Sequence, residues 1–109
     1  MCRALRVLCV AQDSASLAEL QRAAVSAEWE LAPGATTESD AIGLIDAERP
    51  HTLVVFGPYE RLVALVRERF PAMRIVADRD LPGATAVATS LGEVRGLVKE
   101  LPRPGGPVR

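Results

Sequence analysis

Three aspartates, Asp13, Asp78 and Asp80, carry side chains suited to chemistry at ordinary pH. Each follows an apolar run that reads as a strand: "LRVLCV" precedes Asp13, and "MRIVA" precedes Asp78 and Asp80. In a parallel sheet such run ends share one edge, where active sites and ligand sites are usually built. Three carboxylates there would suit a divalent ion bound through oxygen. The plainer account is that Asp13 leads into a helix N-terminus, where an anion is favoured, and that Asp78 and Asp80 lie in a polar loop. Thr89 and Ser90 stand at another strand-to-helix passage, a place for an anion. No Gly-rich phosphate loop accompanies them, and Ser90 reads as a helix cap. A third run, Thr52 to Phe56, ends at Phe56 and Gly57, which offer no nucleophile, acid, base or metal ligand. Cys2 and Cys9 lack metal-ligand spacing, and Cys9 reads as a small buried hydrophobe. The single histidine, His51, follows Pro50 and reads as a solvated loop residue.

The chain has 109 residues, enough for one domain with a real core. Apolar residues make up 49% and charged residues 25%, which is globular composition rather than that of a disordered chain. The net charge of −1 lacks the basic surplus that phosphate binding asks for, so no nucleic-acid partner is expected. No apolar run nears the roughly 18 residues that span a bilayer, and no membrane partner is expected either. The start, "MCRALRVLCVAQD", has an apolar part interrupted by Arg6 and no small-residue cleavage pattern, so it reads as a strand and not a signal peptide. A cytoplasmic location is the expectation.

The apolar run Leu5 to Val10 predicts a strand covered on both faces. A helix follows, with Ser16 and Glu19 at capping-box spacing and Leu17, Leu20, Ala24 and Val25 at helical spacing. Trp29 to Thr36 is interrupted by Pro33 and Gly34, which predicts an edge strand, with Trp29 as a packing residue. Thr37 opens a second helix with Ala41, Ile42, Leu44 and Ile45 on its apolar side. After the strand Thr52 to Phe56, Pro58 suits the first turn of a third helix whose buried stripe is Leu62, Leu65, Val66 and Phe70. Arg61, Arg67 and Arg69 alternate with Glu60 and Glu68, which reads as a solvated face of mixed charge. Met73 to Ala77 and Thr85 to Thr89 give two more strands. Ser90 and Glu93 form a second capping-box pattern ahead of Leu91, Val94, Leu97, Val98 and Leu101. Strands alternating with helices predict an α/β domain with a parallel sheet covered on both faces. The domain spans 1–101, and 102–109, rich in Pro and Gly, reads as a disordered tail or linker stub.

The phrases "RVLCVAQDSASLAELQRAA" and "AERPHTLVVFGPYERLVALVRERFP", together with this element order, resemble the receiver domain of bacterial response regulators. The resemblance covers residues 4 to 101. It implies a flavodoxin-like, doubly wound, five-stranded parallel sheet of order 2-1-3-4-5. It also implies that the chemistry of the family is missing. The acidic pair that holds Mg²⁺ falls on Ala11 and Gln12, with Asp13 one residue late. The phosphoacceptor position falls on Phe56, beside Gly57. The switch Ser/Thr falls near Ala77 or Asp78, and the lysine after the fifth strand is replaced at Thr89 and Ser90. Only "DRDLPG" is available where a receiver has a crossover helix between strands four and five, so that helix is expected to be missing.

The chain therefore resembles a pseudo-receiver. The expected function is a non-catalytic, phosphorylation-independent regulatory module acting through a homodimer or a protein partner, with no cofactor and no resident metal. The alternative is a small-molecule or ion sensor using the carboxyl edge of the sheet. A sulfate-transporter/anti-sigma-antagonist-like domain would share the parallel-sheet pattern, but its serine-containing signature has no counterpart here. Phe56 is expected to fill the vacated acidic pocket against Ala11 and Ala77, so that Phe56→Ala costs about 3–5 kcal/mol. Without the crossover helix, Leu81 and Val87, with Leu62 and Val66 of the third helix, are expected to border a bare apolar patch that serves as an interface.

Overall fold

The computed structural model describes residues 5–26 and 29–100. Among the described residues there are five strands: β1 (Leu5–Val10), β2 (Trp29–Leu31), β3 (Thr52–Val55), β4 (Arg74–Ala77) and β5 (Ala86–Val87). Three helices join successive strands, α1 (Ser14–Ala24), α2 (Glu38–Glu48) and α3 (Glu60–Arg69), and α4 (Val94–Glu100) follows β5 through a 3-10 turn at Leu91–Glu93. All pairings are parallel and the order is β2-β1-β3-β4-β5. The tail at 102–109, together with Cys2 and Leu101, lies outside the described residues.

Strand side chains alternate between two apolar layers, as the pleat dictates. Leu8, Val10, Leu53, Val55, Ile75 and Ala77 face the layer under α2 and α3, where Ile45, Leu62, Val63 and Val66 pack. Val7, Cys9, Val54 and Val76 face the layer under α1 and α4, with Leu20, Trp29, Val94 and Val98. Because helices lie on both faces, the central strands are apolar throughout, and all four residues of β3 are buried.

The helix ends differ from the expected caps in an instructive way. Asp13, not Ser16, caps α1: its carboxylate accepts the Ser16 N–H at 2.8 Å, so the cap lies ahead of the position where the Ser16–Glu19 pattern placed it and the helix begins at Ser14. Thr37 caps α2 as its spacing predicts, accepting from the Asp40 N–H. Pro58 lies ahead of α3 rather than within its first turn, because the cap position is Tyr59. Ser90 makes no capping bond through its side chain. Glu93 reaches back instead, accepting from both the N–H and the hydroxyl of Thr89.

Between β4 and β5 there is no helix, as the shortness of "DRDLPG" predicts. The residues from Asp78 to Thr85 form a loop that tucks Leu81 into the layer under α2 and α3, leaving it 3% exposed. Arg67 of α3 holds this loop. Its guanidinium donates to the carbonyls of Pro71, Met73 and Gly83 and to the Thr85 hydroxyl. Arg67 is thus a structural clamp and not part of a solvated face.

This loop also overturns the expected bare patch. Leu62, Val66 and Leu81 are all buried within the chain, so none is open to a partner. Among the described residues only Val25 and Val87 are large hydrophobics left exposed. His51 is likewise more engaged than a solvated loop residue: its Nδ1 accepts the Arg6 N–H, its N–H donates to the Arg6 carbonyl, and its carbonyl accepts from Arg74. Trp29 is a packing residue, 5% exposed, with its indole N–H donating to the Ala24 carbonyl.

Candidate functional site

The C-terminal ends of β1, β3 and β4 meet at one edge of the sheet, where a small depression of about 210 Å³ opens. It gathers four of the positions singled out in the sequence: Gln12 after β1, Phe56 and Gly57 after β3, and Asp78 after β4. Ser16 and Glu19 of α1 complete the rim, with Leu91 from the 3-10 turn. Those three escape a reading by strand ends, because they come from the adjoining helices.

Phe56 is half-buried and packs on the α1–α4 layer with Ala11, while Ala77 belongs to the opposite layer. The ring therefore rests on one wall of the site and does not bridge Ala11 and Ala77. Gly57 is required by the backbone, since its φ of 137° is a conformation that side-chain-bearing residues avoid. A Cβ there would also come within 2.8 Å of the Tyr59 ring and 2.9 Å of Gln12.

Tyr59 is the member of this edge that sequence patterns gave no reason to notice. Its hydroxyl lies 3.0 Å from the carbonyls of both Ala11 and Thr36, tying the loops after β1, β2 and β3 together. Burial raises the phenol pKa, and the negative charges of Glu38 and Asp13 add to the effect, so the donor stays protonated.

Asp78 is held by its own neighbour. Arg79 pairs with both carboxylate oxygens, Nε to Oδ1 at 3.0 Å and Nη2 to Oδ2 at 3.1 Å, and the Gly57 N–H donates to Oδ1. Burial pushes the Asp78 carboxyl up, but the Arg79 and Gly57 hydrogen bonds and the Arg79 charge outweigh it, leaving the pKa below the ordinary value. Asp13 is lowered by its hydrogen bonds from Ser16 and spends that charge on the helix cap. Asp80 is exposed in the loop. Among the described residues no three His, Cys, Asp or Glu side chains gather in a metal-binding arrangement.

Ala77 and Thr89 stand apart from the depression. Ala77 is fully buried under the α2–α3 layer, and Thr89 is taken up by Glu93. Cys9 is fully buried, and loss of solvation pushes its thiol up to about 12, so it is no nucleophile. No helix among the described residues is long and apolar enough to cross a membrane.

No family model matches the sequence, and no curated protein matches it either. Solved structures do. A CheY-like response regulator receiver domain protein from Methanospirillum hungatei JF-1 superposes with a TM-score of 0.73 at 18% identity, covering 90% of this chain and 93% of that one. HP1043, an orphan response regulator of H. pylori, gives 0.70 at 14% identity, with 87% and 93% covered. The response regulator domain of CheB from Thermotoga maritima gives 0.69 at 14% identity, with 90% and 92% covered. With the order β2-β1-β3-β4-β5 and helices on both faces, this chain has the receiver fold.

Proposed function

We propose that this domain is a regulatory interaction module on a receiver scaffold that works without phosphoryl transfer. One observation carries the reading: at the edge where β1 and β3 end, the residues present are Ala11, Gln12, Phe56 and Gly57. Aspartyl phosphorylation needs a carboxylate nucleophile and a divalent ion to offset charge on the transferring group. A phenyl ring supplies neither. The nearby carboxylates are already committed, Asp78 to Arg79 and Asp13 to the α1 cap. Tyr59 supports the same reading, because it holds together by a hydroxyl the loops that an ion would otherwise cross-link.

What remains for such a domain is recognition of protein, either a second copy or another chain. The contact surface we assign is the side of β5 around Val87, where no crossover helix lies. The expectation of Leu62, Val66 and Leu81 as interface residues is withdrawn, since all three are core.

The test is direct. Incubation of the protein with acetyl phosphate and Mg²⁺ should leave its intact mass unchanged, and beryllofluoride with Mg²⁺ should leave its amide spectrum unchanged. An acid-labile mass gain mapped to Asp13 or Asp78 would overturn the proposal.

A further inference from the structure

At the opposite edge of the sheet, where β3 and β4 begin, a groove of about 380 Å³ opens between the ends of α2 and α3. That volume falls within the roughly 300–1,000 Å³ of small-ligand sites. Its floor is apolar: Pro50, Phe70, Pro71, Ala72 and Met73. Its polar side chains are those of Arg49, His51 and Arg69, and no Asp or Glu lines it. The Arg49 and Arg69 guanidinium carbons each lie 5.7 Å from the centroid of the Phe70 ring.

The donors of these side chains are largely unspent. Arg49 uses its Nε on the Asp46 carbonyl, and Arg69 makes only a loose 3.7 Å contact with the Asp46 carboxylate. His51 accepts at Nδ1 from Arg6, which places its own proton on Nε2. The floor is also held in shape. Met73 N–H closes a turn on the Phe70 carbonyl, and Arg67 grips the Pro71 and Met73 carbonyls.

The backbone of Arg49 adds an independent sign. It ends α2 in the left-handed region, φ 50° and ψ 58°, where helices commonly place glycine. A residue with a Cβ is strained there. Offsetting the helix dipole would explain a basic residue anywhere in the last turn. It does not explain a basic residue at the one position where glycine fits best, with its guanidinium over Phe70.

We infer that this groove binds a small planar carboxylate: an apolar, preferably aromatic, body on the Phe70–Pro71 floor, with its carboxylate taken by Arg49 and Arg69. The carboxyl ends of α2 and α3, and Asp46, temper the long-range field here. Selection therefore rests on direct guanidinium–carboxylate hydrogen bonds, which are strong and geometrically specific. This inference is independent of the pseudo-receiver reading, because it concerns the other edge of the sheet.

Titration of the isotope-labelled protein with benzoate, followed by amide chemical shifts, tests it. Saturable shifts are expected at Arg49, His51 and the 70–73 turn, with a Kd on the order of 1 mM for so small a ligand. Benzamide, the neutral isostere, should bind at least about tenfold more weakly, and 0.5 M NaCl should weaken benzoate. Arg49→Gly is the decisive variant: glycine relieves the backbone, so the fold should hold or gain stability while benzoate affinity falls by about fivefold or more. Arg69→Gln should weaken it likewise. Equal binding of benzamide, shifts confined to other residues, no saturation, or an unchanged Kd in Arg49→Gly would each overturn the proposal.

Discussion

Phe56 shows how much a single position decides. It follows β3 directly, its N–H donates to the Val10 carbonyl at 2.8 Å, and its ring lies half-buried against the α1–α4 layer beside an open depression. A fully buried ring would cost about 3–5 kcal/mol on truncation to alanine. Here part of the ring already faces water, so Phe56→Ala should cost less, about 1–3 kcal/mol by chemical denaturation. Phe56→Asp should be destabilised further, since the new carboxylate would join Asp78 and Glu19 at the depression, and Arg79 is already paired with Asp78. A Phe56→Asp protein as stable as the original would mean that the ring contributes nothing to packing. Sequence placed Phe56 at the end of a strand, because the apolar run before it is unambiguous. It did not reveal the degree of burial, which depends on Leu91 and α1 arriving from distant parts of the chain.

The loop between β4 and β5 is the element that departs most from a fully helical wrapping of the sheet. Its lack of a helix was legible, because Pro82 and Gly83 break a stretch already too short for one. How the exposed flank would be covered was not legible. The answer needs Leu81 to turn inward and Arg67, more than ten residues earlier, to reach across to Gly83 and Thr85. Charge alternation along α3 had suggested a solvated face for Arg67, since periodicity carries no information about a partner in another element. The caps of α1 and α4 were misplaced for a related reason. Several Ser, Thr and Asp residues compete at each helix start, and only backbone geometry decides among them. Arg67→Ala should cost about 1.5–3 kcal/mol, because a charged donor hub is lost and the carbonyl of Met73 is only partly open to water. Arg67→Lys should restore little, as an ammonium cannot span the same fork. Hydrogen exchange should quicken at Thr85 to Ala88 well before β1 and β3 respond. Uniform acceleration across the sheet would instead mean that the clamp stabilises the whole fold and not this flank.

At the scale of the whole molecule, the layering was legible because the buried strands are apolar on both sides and the helices alternate with them, while the strand order was implied by the resemblance to receiver domains. The interface was not, since a side chain that looks bare when a helix is removed can be covered by a loop. What stays uncovered is Val87, 38% exposed, on the outermost strand of the sheet. Val87 pairs with Ala77, whose side chain faces the α2–α3 layer, so Val87 lies on the flank that lacks a crossover helix. A two-residue edge strand with an exposed valine is a natural place for a second copy to add on, because both apolar surface and edge backbone are offered together. Under the reading proposed here, the protein should self-associate reversibly in sedimentation equilibrium. Val87→Glu should weaken that association by about tenfold or more, a change expected for charging the centre of a small interface. Val25→Glu, at the other exposed apolar residue, should leave it unchanged and serves as the control. Charges at Leu81 or Val94 cannot be used for this purpose, because both residues are core and would unfold the domain. A wild-type chain that stays monomeric at high concentration would exclude a homodimer through β5. Self-association equally sensitive to Val25→Glu and Val87→Glu would move the contact away from this strand.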